Sequence, residues 1–394
     1  MSRTPIRAAV GAAVVFILLA GAAPAAAATG GTLRPQLEAI TAAGMPGVFA
    51  QAVDGRHRQS AAAGVADVTT GAPTRPGMRH RVGSITKTFT ATVLLQLAGE
   101  GRLRLDAPLG HYLPAYAVDG VTVRMLLNHT SGIADYDHII FATDTSLEEN
   151  RHRTFTPAEL AAFGLNQPPT NPPGAAWSYS NTNYVLAGMI LEKITGRSPA
   201  YEITKRIIRP LGLRHTYLPG TGTRIHGPHA AAYIPWYEGV LVDFADYNMS
   251  WGWAAGDLVS TTDDLNRFYR ALLTGKLLKP AQLAEMQTTV PWVPGAPEYG
   301  GYGLGLYSNL LPCGLAWGHD GLVLGHSTIS WHSADGRRQV TVAQNMTHYV
   351  APGQPDPISD ATITMLVTQL CGEQPATART TTARPHLAEQ SFRR

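Results

Sequence analysis

The sequence predicts an α/β fold in which an antiparallel sheet is flanked by helices and carries an inserted helical subdomain. The chain has 394 residues, 44% hydrophobic and 15% charged, which is a globular composition. Strand patterns occur near both ends of the chain, and helical patterns fill the middle. We therefore expect the first strands to complete a sheet formed by the last ones, with a helical insertion at about 84–290 within a domain of residues 29–372.

The first 28 residues have the pattern of an export signal. Arg3 and Arg7 precede an apolar stretch from Ala8 to Ala20, and small residues after Pro24 continue to Ala28. We expect cleavage near Ala28 and a secreted protein with no stable membrane anchor. A retained anchor is the alternative, but the apolar stretch is shorter than the roughly 20 residues that a spanning helix requires.

Apolar spacing and turn residues predict the elements of the mature chain in order. A helix at 33–43 is followed by strands at 47–53 and 60–68, joined by the turn 54–59. Helical spacing then occurs at 84–99, 123–128, 157–165, 182–194, 199–208 and 262–274. Strand patterns return at 301–307, 315–318, 327–331 and 338–344, the last two joined by an Ala-Asp-Gly turn at 334–336, and a helix at 358–370 closes the fold. Residues 373–394 are poor in apolar side chains, so we expect a disordered tail.

Charge and cysteine usage restrict the partners and the compartment. The net charge is +3, and loss of Arg3 and Arg7 leaves 29 basic against 28 acidic residues. The basic residues are scattered, so we expect no nucleic-acid binding. Cys313 and Cys371 are the two cysteines of an exported chain, which predicts a disulfide closing a 59-residue loop. Two unpaired buried thiols are the alternative.

The sharpest chemical signal is the sequence VGSITK at residues 82–87. Ser84 opens a predicted helix and Lys87 follows three residues later, so the two side chains share one helix face. A hydroxyl is a weak nucleophile, and a lysine becomes its base when burial or cationic neighbours lower the lysine pKa from about 10.4. Ser84 and Lys87 are therefore candidate nucleophile and base. The alternative is a helix-capping serine beside a surface lysine.

Two further clusters carry candidate site residues. In WSYSN at 177–181, Tyr179 could relay a proton and Asn181 could bind a substrate carbonyl, unless they are a helix cap beside a core aromatic. In WGHDG at 317–321, two glycines allow a substrate to approach the backbone of an edge strand beside His319. The alternative for this stretch is a glycine-rich strand end with a surface histidine.

The three clusters occur in the order and approximate separations of one family. The sequence resembles the serine β-lactamase and penicillin-binding protein superfamily, in particular its secreted actinobacterial D-alanyl-D-alanine carboxypeptidases. The resemblance covers about Leu33 to Cys371 and implies a β-lactamase/transpeptidase-like fold. Its supporting stretches are LLNHTSG at 126–132, YSNTN at 179–183, Ala255-Gly256 with Ser260, Thr261 and Asp264, and YGLGL at 302–306.

The resemblance implies a role for each site residue. Ser84 would form an acyl-enzyme, Lys87 would take its proton, and Tyr179 would protonate the leaving group. Asn181 would bind the amide of the substrate, and His319 would line the opposite wall. The backbone N–H groups of Ser84 and Leu322, with Gly321 beside them, would hold the negative oxygen of the intermediate. Trp251 and Phe141 match positions that wall the cleft.

Two positions depart from the carboxypeptidase pattern. Tyr307 stands where those enzymes place an arginine that holds the terminal carboxylate of the substrate. Asp320 stands where they have a threonine, and an ionised aspartate there would repel a carboxylate. A protonated His319 is our hypothesis for the compensating cation.

These observations predict a secreted, monomeric serine acyl hydrolase for a small peptide or ester substrate. D-Alanyl-D-alanine peptides of cell-wall type are the leading substrate, with β-lactams as covalent inhibitors. The missing arginine favours an esterase, an amidase or a β-lactamase as the alternative. A penicillin sensor that acylates without turnover is the alternative of another class. His226 and His229 are three apart but have no third ligand cluster, so we expect no metal and no cofactor.

Overall fold

The computed structural model describes residues 32–235, 239–292, 295, 297–348, 350 and 354–372. The expected signal at 1–28 and the expected tail at 373–394 lie outside the described residues. The described strands are β1 (Gly47–Asp54), β2 (His57–Gly64), β3 (His80–Arg81), β4 (Tyr233–Pro235), β5 (Leu241–Asp243), β6 (Val259–Ser260), β7 (Val290–Pro291), β8 (Gly301–Tyr302), β9 (Tyr307–Leu311), β10 (Gly314–Val323), β11 (His326–Ser333) and β12 (Arg338–Gln344).

An antiparallel sheet of eight strands, in the order β2-β1-β12-β11-β10-β9-β8-β7, forms the centre of the molecule. The first hairpin joins the last strands through β1, whose Val48 lies opposite Gln344 and whose Asp54 lies opposite Arg338. This pairing confirms that the amino-terminal strands complete a sheet made by the carboxy-terminal ones. The second strand begins at His57 rather than residue 60, because the hairpin turn needs only Gly55 and Arg56, with Gly55 at a φ of 59°.

The described helices are α1 (Leu33–Ala42), α2 (Thr86–Gly99), α3 (Leu109–Tyr112), α4 (Val123–Leu127), α5 (Asp137–Ile140), α6 (Asp144–Asn150), α7 (Pro157–Leu165), α8 (Asn181–Thr195), α9 (Pro199–Ile203), α10 (Arg209–Leu211), α11 (Trp253–Gly256), α12 (Thr262–Leu273), α13 (Pro280–Gln287) and α14 (Pro357–Cys371). Short 3-10 turns occur at Gly83–Ile85, Pro114–Tyr116, Met249–Trp251 and Pro297–Tyr299, and a π-helical turn occurs at Thr204–Ile208. No helix among the described residues has both the length and the apolar character needed to span a membrane.

Strand β12 shows how the sheet separates two helical layers. Val340 and Val342 point into an apolar cluster with α1 and α14. The alternate residue Thr341 points the other way and donates to Asn266 Oδ1 of α12 at 2.7 Å. Successive side chains of a strand face opposite sides of the sheet, so α1 and α14 cover one face and α12 covers the other.

The prediction of one strand at 301–307 is wrong, because two strands separated by a tight turn occupy this region. β8 ends at Tyr302, Gly303 N donates to Leu306 O at 2.7 Å, and β9 begins at Tyr307. β10 is also longer than predicted and runs from Gly314 to Val323. β9 pairs with β10 only as far as Gly318, so residues 319–323 pair with β11 on one side and present their other edge to the 3-10 turn at 83–85.

A disulfide joins Cys313, in the turn between β9 and β10, to Cys371 at the end of α14, with the two Cα atoms 5.3 Å apart. The predicted pairing is therefore confirmed. It connects the start of strand β10 to α14, the helix that packs together with α1 on one face of the sheet.

Candidate active site

Ser84 is placed by a short sequence that leaves the sheet and enters a helix. After β3, the 3-10 turn Gly83–Ile85 leads directly into α2. Gly83 has a φ of 52°, and a Cβ there would lie only 3.0 Å from Leu322 N, so the left-handed conformation and the close approach both favour glycine. Ser84 is therefore held at the start of a buried helix, directly against β10.

Lys87 lies one turn after Ser84 and is buried. Its Nζ donates to Ser84 Oγ at 2.8 Å, to Asn181 Oδ1 at 2.6 Å and to Ala255 O at 3.0 Å. The sequence prediction that serine and lysine share one helix face is thus met by a direct hydrogen bond. Three acceptors around one ammonium group fix the nitrogen against the nucleophile.

Burial lowers the pKa of Lys87 from its ordinary 10.5 to about 7, against the opposing effect of the nearby Asp135, Asp137 and Asp320 carboxylates. A substantial fraction of Lys87 is consequently neutral at physiological pH. Only the neutral amine can accept the Ser84 proton, so Lys87 fits the general base that the sequence suggested.

Tyr179 reaches the nucleophile from the opposite side, and its Oη donates to Ser84 Oγ at 2.8 Å. Burial raises the pKa of Tyr179 well above 10, and the Asp320 carboxylate raises that pKa further. The phenol therefore keeps its proton at neutral pH. A protonated phenol beside the attacking oxygen fits a donor to the leaving group.

His129 positions Tyr179 and was not assigned a role by the sequence. Its ring stacks on the Tyr179 ring with the centroids 4.3 Å apart, and its Nδ1 accepts from Ser180 N at 3.1 Å. Burial holds the pKa of His129 well below its usual value, so the ring is neutral. The LLNHTSG stretch contained this residue, but only the structure shows which ring it supports.

Asn181 occupies a different role from the one that the resemblance implied. Its Oδ1 accepts from Lys87, while its Nδ2 donates to Asp135 Oδ2 at 3.0 Å and to Asp137 Oδ2 at 2.8 Å. Both N–H donors are thus taken by protein carboxylates. The expected donation from Asn181 to a substrate carbonyl does not occur in this arrangement, and Asn181 instead positions Lys87. Sequence analysis did not identify Asp135 or Asp137.

The opposite wall of the cleft is formed by β10. His319 is fully buried, its Nδ1 donates to the backbone oxygen of Asp320 at 2.5 Å, and its Nε2 accepts from Tyr302 Oη at 2.7 Å. Burial lowers the pKa of His319 to about 3. The imidazole is neutral at physiological pH, so the hypothesis of a protonated His319 that holds a carboxylate is wrong for this geometry. Tyr302 is a second site residue that the sequence did not single out.

Asp320 and Tyr307 both lie close to His319, but they differ in exposure and in the groups that their side chains contact. Asp320 is 7% exposed, and its Oδ1 lies 3.5 Å from His319 Nδ1. Tyr307 is 1% exposed, and its hydroxyl accepts from the Trp331 indole at 3.0 Å. Tyr307 is therefore part of the core beneath this wall, and the expectation that it contacts substrate is wrong.

The backbone site for a negative oxygen is built where β10 meets the start of α2. A Cβ on Gly321 would lie 1.9 Å from Val82 O and 2.9 Å from Ser84 N, so only glycine allows this contact. The amide nitrogens of Ser84 and Leu322 thus lie on two segments in direct contact. This agrees with the pair of N–H donors that the resemblance implied.

Trp251 and Phe141 meet edge to face with their ring centroids 4.9 Å apart, and both are almost fully buried. The Tyr136 hydroxyl donates to the backbone oxygen of Trp251. The two rings therefore support the segment 135–137, and the expectation that they wall the cleft stays a prediction.

The described residues contain no group of three or more histidine, cysteine, aspartate or glutamate side chains that could hold a metal ion. The polar groups that meet at the nucleophile are those of Ser84, Lys87 and Tyr179. The Ser84 hydroxyl lies between a phenol and an amine that can lose its charge near neutral pH, and two backbone N–H donors lie beside it. Such a site can carry out acyl transfer through a covalent intermediate.

Comparisons with known proteins agree with this geometry. The family described as Beta-lactamase matches residues 32–365. A D-aminopeptidase from Cereibacter sphaeroides is 32% identical over 324 residues, covering 77% of this chain and 57% of the relative. The chain therefore spans little more than half of that relative's length.

Two solved structures extend the comparison. A D-stereospecific amidohydrolase from a Streptomyces species is 40% identical, with a TM-score of 0.77, covering 88% of this chain and 99% of that one. A D-amino acid amidase from Ochrobactrum anthropi SV3 is 27% identical, with a TM-score of 0.73, covering 85% of this chain and 96% of that one. The chain therefore belongs to the Beta-lactamase family.

Proposed function

We propose that this enzyme hydrolyses amides of D-amino acids that carry a free α-amino group and release a leaving group without a carboxylate. The observation that carries the proposal is the charge around the nucleophile. The carboxylate of Asp320, on the strand beside the nucleophile, acts on both Lys87 and Tyr179. Negative charge on the walls of a buried site attracts an ammonium group and repels a carboxylate. The names of the relatives supply the D configuration and the amide bond.

The leaving-group side of the site argues against a carboxypeptidase. Tyr179, the proton donor for the leaving group, feels the charge of Asp320 more strongly than that of Asp135. A carboxypeptidase substrate would bring its terminal carboxylate toward Asp320. Ammonia, or an amine without a carboxylate, meets no such repulsion. An amide is therefore a better substrate than the D-alanyl-D-alanine peptide that the sequence led us to expect.

The reaction follows from the contacts around Ser84. Neutral Lys87 takes the hydroxyl proton as Oγ bonds to the substrate carbonyl carbon, and the carbonyl oxygen becomes negative between the N–H groups of Ser84 and Leu322. Tyr179 gives its proton to the leaving nitrogen, the C–N bond breaks, and the phenolate recovers a proton from the Lys87 ammonium. Water then attacks the acyl-enzyme by the same proton route and releases the acid.

The test compares three substrates: D-alanine amide, L-alanine amide and D-alanyl-D-alanine. We expect kcat/KM to be highest for D-alanine amide. Asp320→Asn removes the charge at nearly constant shape and should raise the kcat/KM of the dipeptide relative to D-alanine amide by about tenfold. Preferred turnover of D-alanyl-D-alanine by the wild type would overturn the proposal. A single acylation burst without turnover on any substrate would favour the sensor.

We further propose that the protein is exported, cleaved near Ala28 and monomeric, and that β-lactams acylate Ser84. The Cys313–Cys371 disulfide supports export, because disulfides persist in oxidising compartments. Amino-terminal sequencing of protein from the culture medium tests cleavage. Light scattering tests the monomer, and mass spectrometry after incubation with benzylpenicillin tests acylation. An intact leader, a larger assembly or an unchanged mass would contradict the respective statement.

A further inference from the structure

Behind the catalytic lysine, two carboxylates meet at one amide group. Asp135 Oδ2 and Asp137 Oδ2 lie 3.0 and 2.8 Å from the same nitrogen, Asn181 Nδ2. The other end of that amide, Oδ1, accepts from Lys87 Nζ at 2.6 Å. A continuous chain of hydrogen bonds therefore runs from the two carboxylates through Asn181 to the base of the reaction.

Two carboxylates that converge on one nitrogen are too close to be ionised independently. Like charges at such separation in a half-buried setting disfavour each other, and a close carboxylate pair retains one proton over a wide pH range. In agreement, burial raises the pKa of both groups, and the charge of Asp135 raises the pKa of Asp137 further.

We propose that Asp135 and Asp137 are positioning residues that share one proton, hold Asn181 in the orientation that presents its oxygen to Lys87, and together add one negative charge to that of Asp320 near Lys87. One charge leaves the base able to lose its proton near pH 7. Two full charges on the pair would hold the lysine as ammonium. An uncharged pair would favour the neutral amine, but that amine would bind a proton too weakly to serve as base.

The other groups that face Lys87 do not duplicate this role. Asp320 approaches from β10 and also raises the lysine pKa. The rings of Tyr179 and Tyr184 lie 4.9 and 5.7 Å from Nζ, and both phenols are neutral. His129 and His319 are neutral as well. The carboxylate pair itself is faced by Tyr136 and by His138.

The test uses Asp135→Asn, Asp137→Asn and the double variant, with Asp119→Asn at an exposed position as the control. In each single variant the remaining aspartate ionises, so the charge that the pair presents to Lys87 stays at one. We expect the acidic limb of kcat/KM to stay near pH 7 in both single variants and in the control. In the double variant it should move to lower pH by about one unit, because a stabilising negative charge is lost.

Two results would overturn the proposal. Equal shifts in each single variant that add up to the shift of the double variant would mean two independent charges. If the acidic limb of the kcat/KM profile of the double variant stayed at the wild-type pH, the pair would not act on Lys87. The ¹³Cε signal of Lys87, one of five lysines, reports the same titration without turnover.

A second measurement does not require the double variant to fold. Burial also raises the pKa of Asp257, so its protonated carboxyl band is common to all variants. The wild-type infrared spectrum at pH 7 should contain one further band of a buried protonated carboxyl group, which both single variants lose in the difference spectrum. A wild type without this band would refute the shared proton. The inference rests on the proposed acyl chemistry but not on the substrate, because the rates are measured with a neutral nitrophenyl ester. Failure with D-amino acid amides would leave this test unaffected.

Discussion

The two walls of the active site are built on different principles. On the helical wall, Ser84, Lys87 and Asn181 are joined by hydrogen bonds of 2.6 and 2.8 Å, and each polar group has a partner in the reaction path. On the strand wall, His319 and Tyr307 direct their polar atoms to other protein groups, which leaves Asp320 to set the charge. The helical wall therefore supplies the nucleophile and its base, and the strand wall supplies a backbone donor and, in our proposal, the charge that selects substrates.

The largest expected effect is at the nucleophile on the helical wall. Ser84→Ala removes the atom that forms the acyl-enzyme, so kcat/KM should fall by about 10⁴-fold or more. Hydrolysis of a nitrophenyl ester measures it, with circular dichroism as the control for folding. Wild-type rates in this variant would show that the two walls do not enclose the active site at all.

A smaller effect is expected from the strand wall. Tyr302→Phe removes the donor to His319 Nε2 and leaves a buried acceptor without its partner, which costs about 1–3 kcal/mol of the free energy of unfolding. We expect kcat to fall less than about tenfold, since the Tyr302 hydroxyl has no place in the proposed proton transfers. Urea unfolding and steady-state kinetics measure the two quantities. A loss as large as that of Ser84→Ala would place His319 in the chemical step and abolish the distinction between the walls.

The smallest effect on activity is expected from the link that anchors the strand wall. Replacing both Cys313 and Cys371 by alanine opens a loop with a sequence separation of 58 and should destabilise the protein by up to about 4 kcal/mol. We expect kcat at 25 °C to change by less than about twofold, because the bond lies at the far end of β10. Thermal unfolding measures the loss of stability, and steady-state kinetics measure kcat. A large change in substrate selectivity would show that the bond sets the position of Asp320.

The contrast between the walls also explains what the sequence could predict. The contact between Ser84 and Lys87 depends only on helical spacing, and it was predicted correctly. The place of Tyr307 depends on where β8 ends and β9 begins, and the Gly303–Leu306 turn cannot be recognised from alternation alone. A single strand over 301–307 would have given the Tyr307 side chain a different neighbourhood from the core position it occupies.

Asp135 and Asp137 illustrate a second limit. Asp135 lies in the short loop after LLNHTSG and Asp137 begins the four-residue helix α5, and no periodicity distinguishes them from surface aspartates. Their role depends on a contact with Asn181, 44 or more residues later in the chain. Long-range pairing of this kind is determined by how α5 and α8 pack, which local patterns do not encode.

The packing of α1 against α14 has a practical consequence. Gln369 Nε2 donates to Gln36 Oε1 at 2.6 Å, so the first and last described helices lie side by side on the sheet face opposite α12. A short peptide could therefore join them, and the turn between β11 and β12, where Ala334 and Asp335 are exposed, could supply new ends, giving a circularly permuted enzyme.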